Sequence, residues 1–66
     1  MQVIVNGNAR EIPDDLTVSG LVAHLGLGAG PVAVEINREI VPRADHPTRK
    51  VATGDAIEIV LVVGGG

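Results

Sequence analysis

Residues 57–63, Ile57-Glu58-Ile59-Val60-Leu61-Val62-Val63, are so rich in β-branched side chains that they call for a place in a sheet. Directly after them come Gly64, Gly65 and Gly66. Glycine has no side chain to pack and loses the most conformational freedom on ordering, so the triplet cannot extend a core. The sequence therefore predicts an anchored strand that projects a thin, mobile thread ending in an α-carboxylate. Fully extended, three residues reach on the order of 10 Å, far enough to enter another protein's active site. Lacking Cβ atoms, they can pass through a channel that would reject alanine. Residues 1–63 then form the folded domain, and residues 64–66 a flexible tail.

The rest of the composition narrows the classes. Sixty-six residues make one small domain with a modest core. With no cysteine there is no disulfide, no thiolate metal site and no cysteine nucleophile. Two distant histidines do not make a zinc site. Stability must come from aliphatic packing, because 45% of the residues are hydrophobic and none is aromatic. A net charge of −3 argues against nucleic acid, which selects a basic face and often stacking aromatics. No apolar run approaches a membrane span, and Met1 leads into a strand rather than a signal peptide. A soluble, cytoplasmic domain is expected.

Taken from its start, the chain opens with a hairpin. Gln2-Val3-Ile4-Val5 precedes Asn6-Gly7, a pair that accepts the positive φ angles of a type I′ turn, and residues 9–12 return. Val3, Val5 and Ile12 share the core face. In a strict two-residue register Arg10 falls on that face too. Either its stem lies over the edge of the core with its charge in water, or the turn is longer. Pro13-Asp14-Asp15 breaks the strand. Thr17 suits a helix N-cap, and Val18, Leu21, Val22 and Leu25 repeat at the spacing of one helical face. Leu16 is placed to fold back on Leu21, and Gly26 suits the residue after the C-cap. Gly20 falls on the outer face, Asp14 and Asp15 favour the helix's positive end, and His24 reads as a surface residue.

Gly28-Ala29-Gly30-Pro31 is a loop leading back to the sheet. Val32, Val34 and Ile36 alternate inward, Asn37-Arg38 turns the chain, and Glu39-Ile40-Val41 runs back until Pro42 ends the pairing. Residues 43–47 read as irregular, with His46 exposed and without a nucleophile or metal partner. Residues 48–51 suit a short strand, and residues 52–55 turn into the last one. This order predicts an α+β fold with four to five strands in a mixed sheet and one main helix on one face. The first and last strands should lie side by side and parallel, with the tail-bearing strand in the centre. Within it Ile57, Ile59 and Leu61 should face the helix. Glu58, Val60 and Val62, joined by Ile4, should form an exposed patch suited to partner docking.

The order of elements resembles the ubiquitin-like β-grasp. Residues 34–43 (Val-Glu-Ile-Asn-Arg-Glu-Ile-Val-Pro-Arg), residues 54–59 (Gly-Asp-Ala-Ile-Glu-Ile) and Val63-Gly64-Gly65-Gly66 resemble the ThiS family, the sulfur carriers of thiamine biosynthesis. The similarity covers essentially the whole chain. The stretch Ile36-Asn37 with Ile40-Val41-Pro42-Arg43 is its most specific part, whereas the terminal Gly-Gly is common to all ubiquitin-like carriers. The chain departs from its relatives in lacking an aromatic near His46 or late in the final strand.

The resemblance implies a carrier rather than an enzyme, with no catalytic residue and no cofactor of its own. A ThiF-like adenylating enzyme would use ATP and magnesium to convert the Gly66 carboxylate to an acyl-adenylate. A persulfide sulfur donor would leave a thiocarboxylate on Gly66, and thiazole synthase would take that sulfur. Gly64, Gly65 and Gly66 would thread into the partner's active site. The molybdopterin-type sulfur carrier shares fold and ending, but its members tend to carry proline and aromatic residues before the glycines, where this chain has Val60-Leu61-Val62-Val63. A ubiquitin-like modifier would form an isopeptide bond through Gly66. A β-grasp ferredoxin is excluded because its cluster needs cysteine thiolates.

Overall fold

The computed structural model describes residues 1–27 and 30–62. Five strands and one helix follow in the order β1 (Gln2–Val5), β2 (Asn8–Glu11), α1 (Val18–His24), β3 (Val32–Ile36), β4 (Glu39–Val41) and β5 (Ala56–Leu61), with a 3-10 turn at Arg43–Asp45. The strands form one sheet in the order β2-β1-β5-β3-β4. β5 is central, parallel to β1 and antiparallel to β3. This is the mixed β-grasp sheet expected from the sequence.

The opening hairpin closes through a two-residue turn. Val5 pairs with Asn8, and Asn6 and Gly7 take φ angles of 49° and 83°, both in the left-handed region that this turn type requires. That register puts Arg10 opposite Val3, on the core side, but β2 is the sheet edge and Arg10 is exposed. The β3–β4 turn repeats the device, with Asn37 at 51° and Arg38 at 71°. The core gathers Val3, Val5, Ile12, Val18, Leu21, Val34, Ile36, Val41, Val51, Ile57 and Ile59.

The helix forms where the apolar spacing placed it. Thr17 Oγ1 accepts the Gly20 N–H at 3.1 Å. At the other end Gly26, at φ 71°, donates to the Ala23 carbonyl and Leu27 to that of Val22, a Schellman closure. Val18 and Leu21 are buried, whereas Val22 and Leu25 are only partly so. Gly20 is not on an open outer face: a Cβ there would lie 3.3 Å from Leu16 Cδ2, so Leu16 covers it.

Several other expectations are corrected. Asp14 and Asp15 lie before the N-cap Thr17, so the first helical turn has no acidic residue, and both are engaged elsewhere. Asp14 accepts from the Met1 amine at 2.9 Å and Asp15 from Lys50 Nζ at 2.6 Å. Residues 48–51 are not a strand. They pair instead with the segment entering the helix: Val51 N–H donates to Leu16 O and Val18 N–H to Arg49 O, with one bridge between Thr17 and Lys50. His46 is not exposed but 8% accessible. The 3-10 turn tucks it inward, its Nε2 lies 3.1 Å from Val41 O, and its own carbonyl accepts the Ser19 N–H.

Leu61 does not reach the core either, being 53% exposed. A seven-residue helix is about 10 Å long, against about 20 Å for a six-residue strand, and the core ends at Ile59. No helix among the described residues is long and apolar enough to cross a membrane.

Candidate functional site

The end of β5 is held from both sides. On the β1 side, Asn6 N–H donates to Ile57 O at 2.8 Å. β1 stops there, and the Asn6 carboxamide takes over: Oδ1 accepts the Ile59 N–H at 2.8 Å and Nδ2 donates to Ile59 O at 3.2 Å. On the β3 side the ladder runs from Ile36–Ile57 to Val32–Leu61, and Val62 N–H then donates to Pro31 O at 3.0 Å. Contacts on the β1 flank therefore direct the chain as far as Ile59, and those on the β3 flank as far as Val62. Val63 and the threading residues Gly64, Gly65 and Gly66 lie outside the described residues, as do Gly28 and Ala29 of the loop.

The start of β5 is fixed by Asn37 and Asp55. Asn37 Oδ1 accepts the Ala56 N–H, and its Nδ2 donates to Asp55 Oδ1 at 3.1 Å. Asp55 Oδ2 in turn accepts from the Ala52 N–H at 2.8 Å. The buried carboxylate thus ties the preceding turn to the β3–β4 turn. Nothing in an Asn-Arg turn signal announced this role; Asn at a positive-φ position next to a strand end was the available hint.

Of the four residues suggested for docking, Ile4, Glu58, Val60 and Val62 are all exposed. The sheet does not gather them into one patch. Ile4 is aligned with Ala56, four residues before Val60, which is about 13 Å along the strand. Val60 instead stands opposite Ala33, and Glu58 opposite Glu35, which itself faces Ile40 on the far side. Together with Val34 these five line a shallow hollow of about 140 Å³. Ile40 is 76% exposed and Val60 59%. Sequence reading missed Ile40 and Glu35; strand alternation outward from Val41 and Val34 was the signal that could have found them.

A second hollow, lined by Gly30, Pro31, Val32, Arg43 and His46, lies beside the carbonyl that receives Val62. Among the described residues no group of three or more His, Asp or Glu side chains is placed to hold a metal. The perturbed ionisable groups belong to the scaffold. Its hydrogen bond from Lys50, reinforced by the ammonium charge, holds the Asp15 carboxyl below its usual range. The hydrogen bond to Asp14 raises the Met1 amine.

Against known proteins, the model of the ThiS family matches residues 3–66. The chain belongs to the ThiS family. It is similar to the sulfur carrier protein ThiS of Escherichia coli, with 33% identity over the whole of both chains. The crystal structure of the thiamine biosynthesis protein ThiS from Geobacter metallireducens superposes with a TM-score of 0.85 and 32% identity, covering all of both chains. A thiazole synthase of Paramagnetospirillum magneticum is 41% identical over all 66 residues, and the chain spans 20% of that protein's length. Membership in this family settles the branch of the β-grasp carriers, as the aliphatic approach to the glycines suggested.

Proposed function

We propose that this chain carries sulfur for thiamine biosynthesis as a thiocarboxylate on Gly66. The observation that carries this reading is the family match running through Gly66, in a chain whose last strand, β5, is held at the centre of the sheet. A carboxylate is a poor electrophile. An adenylating partner, with ATP and magnesium, makes it a mixed anhydride: a Gly66 oxygen attacks the α-phosphorus and pyrophosphate leaves. The terminal sulfur of a persulfide then displaces AMP, and a thiol cleaves the resulting S–S bond to leave the thiocarboxylate.

Thiazole synthase is the consumer that the resemblance to a thiazole synthase supports. None of these steps calls on a side chain of the carrier to act as acid, base or nucleophile. Its contribution is to present the terminus in line, and alignment of reacting groups can supply about 7–11 kcal/mol of a barrier.

The test mixes the chain with a ThiF-like adenylating enzyme, ATP and magnesium, reading pyrophosphate release and the intact mass. Wild type should react and, with a persulfide donor and a thiol, exchange one oxygen for sulfur. Gly65→Val, which adds a β-branched side chain and narrows the backbone's range, should lose activity with its melting curve unchanged. A variant with one alanine appended after Gly66 should behave likewise. Full activity in the extended variant, or a mass showing conjugation to lysine in place of sulfur, would refute the proposal.

A further inference from the structure

Asn6 is both a clamp and a chemically labile residue. Its carboxamide continues the β1 side of the sheet past the end of that strand, Oδ1 accepting the Ile59 N–H at 2.8 Å and Nδ2 donating to Ile59 O at 3.2 Å. The next residue is Gly7, where an added Cβ would meet nothing within 4 Å. Both residues are exposed. An asparagine followed by glycine is open to attack by the following backbone nitrogen, because no side chain obstructs the approach.

In that reaction the Gly7 nitrogen bonds to Asn6 Cγ and gives up its proton, while the Cγ–Nδ2 bond breaks and ammonia leaves. Water then opens the cyclic imide. Cleavage at Cγ restores the backbone and leaves aspartate. Cleavage at the α-carbonyl leaves the chain running through the side chain, as isoaspartate. Nothing is oxidised or reduced, and water is the only co-reactant.

The native geometry blocks the first step in two ways. Ring closure needs the Gly7 nitrogen nearly eclipsed with Cβ about the Cα–C bond. Asn6 sits instead at φ 49°. In that left-handed region ψ is about +47°, which carries the nitrogen to the opposite side from Cβ. The two bonds to Ile59 also hold the carboxamide out toward β5. Either product destroys what the amide built. Aspartate lacks the Nδ2 donor and sets a carboxylate oxygen against Ile59 O. Isoaspartate adds a methylene to the backbone of a tight turn whose register pairs Val5 with Asn8.

We propose that Asn6 is a fold-gated deamidation site: it is inert while the first hairpin grips β5, reacts when that contact opens, and once converted leaves the end of β5 without its hold on the β1 side. Conversion is then a one-way record of local opening. Asn8 and Asn37 precede Ala9 and Arg38, whose side chains hinder the same attack, and the Asn37 carboxamide is itself engaged with Ala56 and Asp55. The inference does not depend on the sulfur-carrying role.

The experiment incubates the full chain at mildly alkaline pH, native and in urea, and follows Asn6 by peptide mass mapping and isoaspartate content. In urea Asn6 should be the first asparagine converted. In the native protein its conversion should be about 10- to 100-fold slower, the factor by which two hydrogen bonds favour the closed form. Protein converted in urea, refolded and separated by its added negative charge should exchange the Ile59 amide as fast as Asn6→Gly does and melt below wild type. Equal rates in the native and unfolded chains would overturn the gate. Conversion of Asn8 or Asn37 ahead of Asn6 would overturn the site. A converted protein with wild-type protection at Ile59 would overturn the loss of the hold on β5.

Discussion

Replacing Asn6 with alanine should cost far more than an exposed turn residue ordinarily does. Its carboxamide makes both hydrogen bonds to the Ile59 backbone, at 2.8 and 3.2 Å, where β1 has already ended. Each such bond contributes about 0.5–1.5 kcal/mol net, so the two together contribute about 1–3 kcal/mol. Asn6 also sits at φ 49°, a region that costs an ordinary L-residue about 1–2 kcal/mol and that asparagine tolerates better. Asn6→Ala should therefore lose about 2–5 kcal/mol, against about 0.5 kcal/mol for a typical surface change.

Asn6→Gly restores the backbone freedom and loses only the hydrogen bonds, so it should fall about 1–3 kcal/mol below wild type. Asn6→Asp keeps an acceptor for the Ile59 N–H but sets a carboxylate against the Ile59 carbonyl, and should lie below wild type as well. Urea unfolding with an unchanged slope measures the stabilities, and amide exchange at Ile59 reports the local bond. An alanine variant within about 0.5 kcal/mol of wild type, with Ile59 still protected, would refute the reasoning. A glycine variant as unstable as alanine would refute its backbone part.

Leu21→Ala should cost about 2–5 kcal/mol because the side chain is fully buried; Leu25→Ala should cost less, since Leu25 is only partly buried, and paired denaturation curves check the order. Val60→Lys should leave the melt in place and weaken binding to the adenylating enzyme in a titration, whereas an unfolded variant would show that Val60 serves the core. The Asp15 carboxyl is held below its usual value of 3.8 by Lys50. The stability from this pair is therefore present above about pH 4 and lost as pH falls through the lower folded value. Since both partners are exposed the effect is small, and Asp15→Asn should flatten that part of the acid limb in a pH series of melts. A variant that keeps the wild-type acid limb would show that the pair contributes nothing.

The features that were legible in the sequence are those carried by local periodicity and turn chemistry. Val3 and Val5, Val34 and Ile36, and Ile57 and Ile59 alternate strictly, and each pair is buried. Asn6-Gly7 was a recognisable turn because asparagine and glycine tolerate positive φ, and Asn37 gave the same signal, although Arg38, at φ 71°, did not. What stayed hidden depends on partners distant in sequence. His46 looks exposed among polar neighbours, yet one bond to Val41 and one from Ser19 fold it inward. Residues 48–51 have strand-like composition, but the Thr48 and Arg49 N–H groups donate to Asp45 O, and Arg49 O and Val51 N–H bond to Val18 and Leu16 rather than to the sheet. Leu61 continues the inward alternation past the end of the helix that would have covered it. The patch suffered the same way: alternation put Ile4 and Val60 on one face, and only the β1–β5 register showed how far apart they stand.

On the carrier reading, those registers explain how a small domain can present its terminus to a partner. A terminus can be delivered in line only if the strand behind it holds a fixed direction relative to the docking face. β5 is the strand best placed for this, because β1 and β3 flank it and its backbone is bonded on both sides. Asn37 and Asp55 set its starting residue, and Asn6 and Pro31 hold its last ones. Glu58 and Val60 lie between these two clamps, on the same six residues. The residues suggested for docking and the approach to the glycines thus belong to one strand, bonded on both sides. A partner seated on Glu58 and Val60 would thereby also fix the direction of the strand that leads toward the glycines.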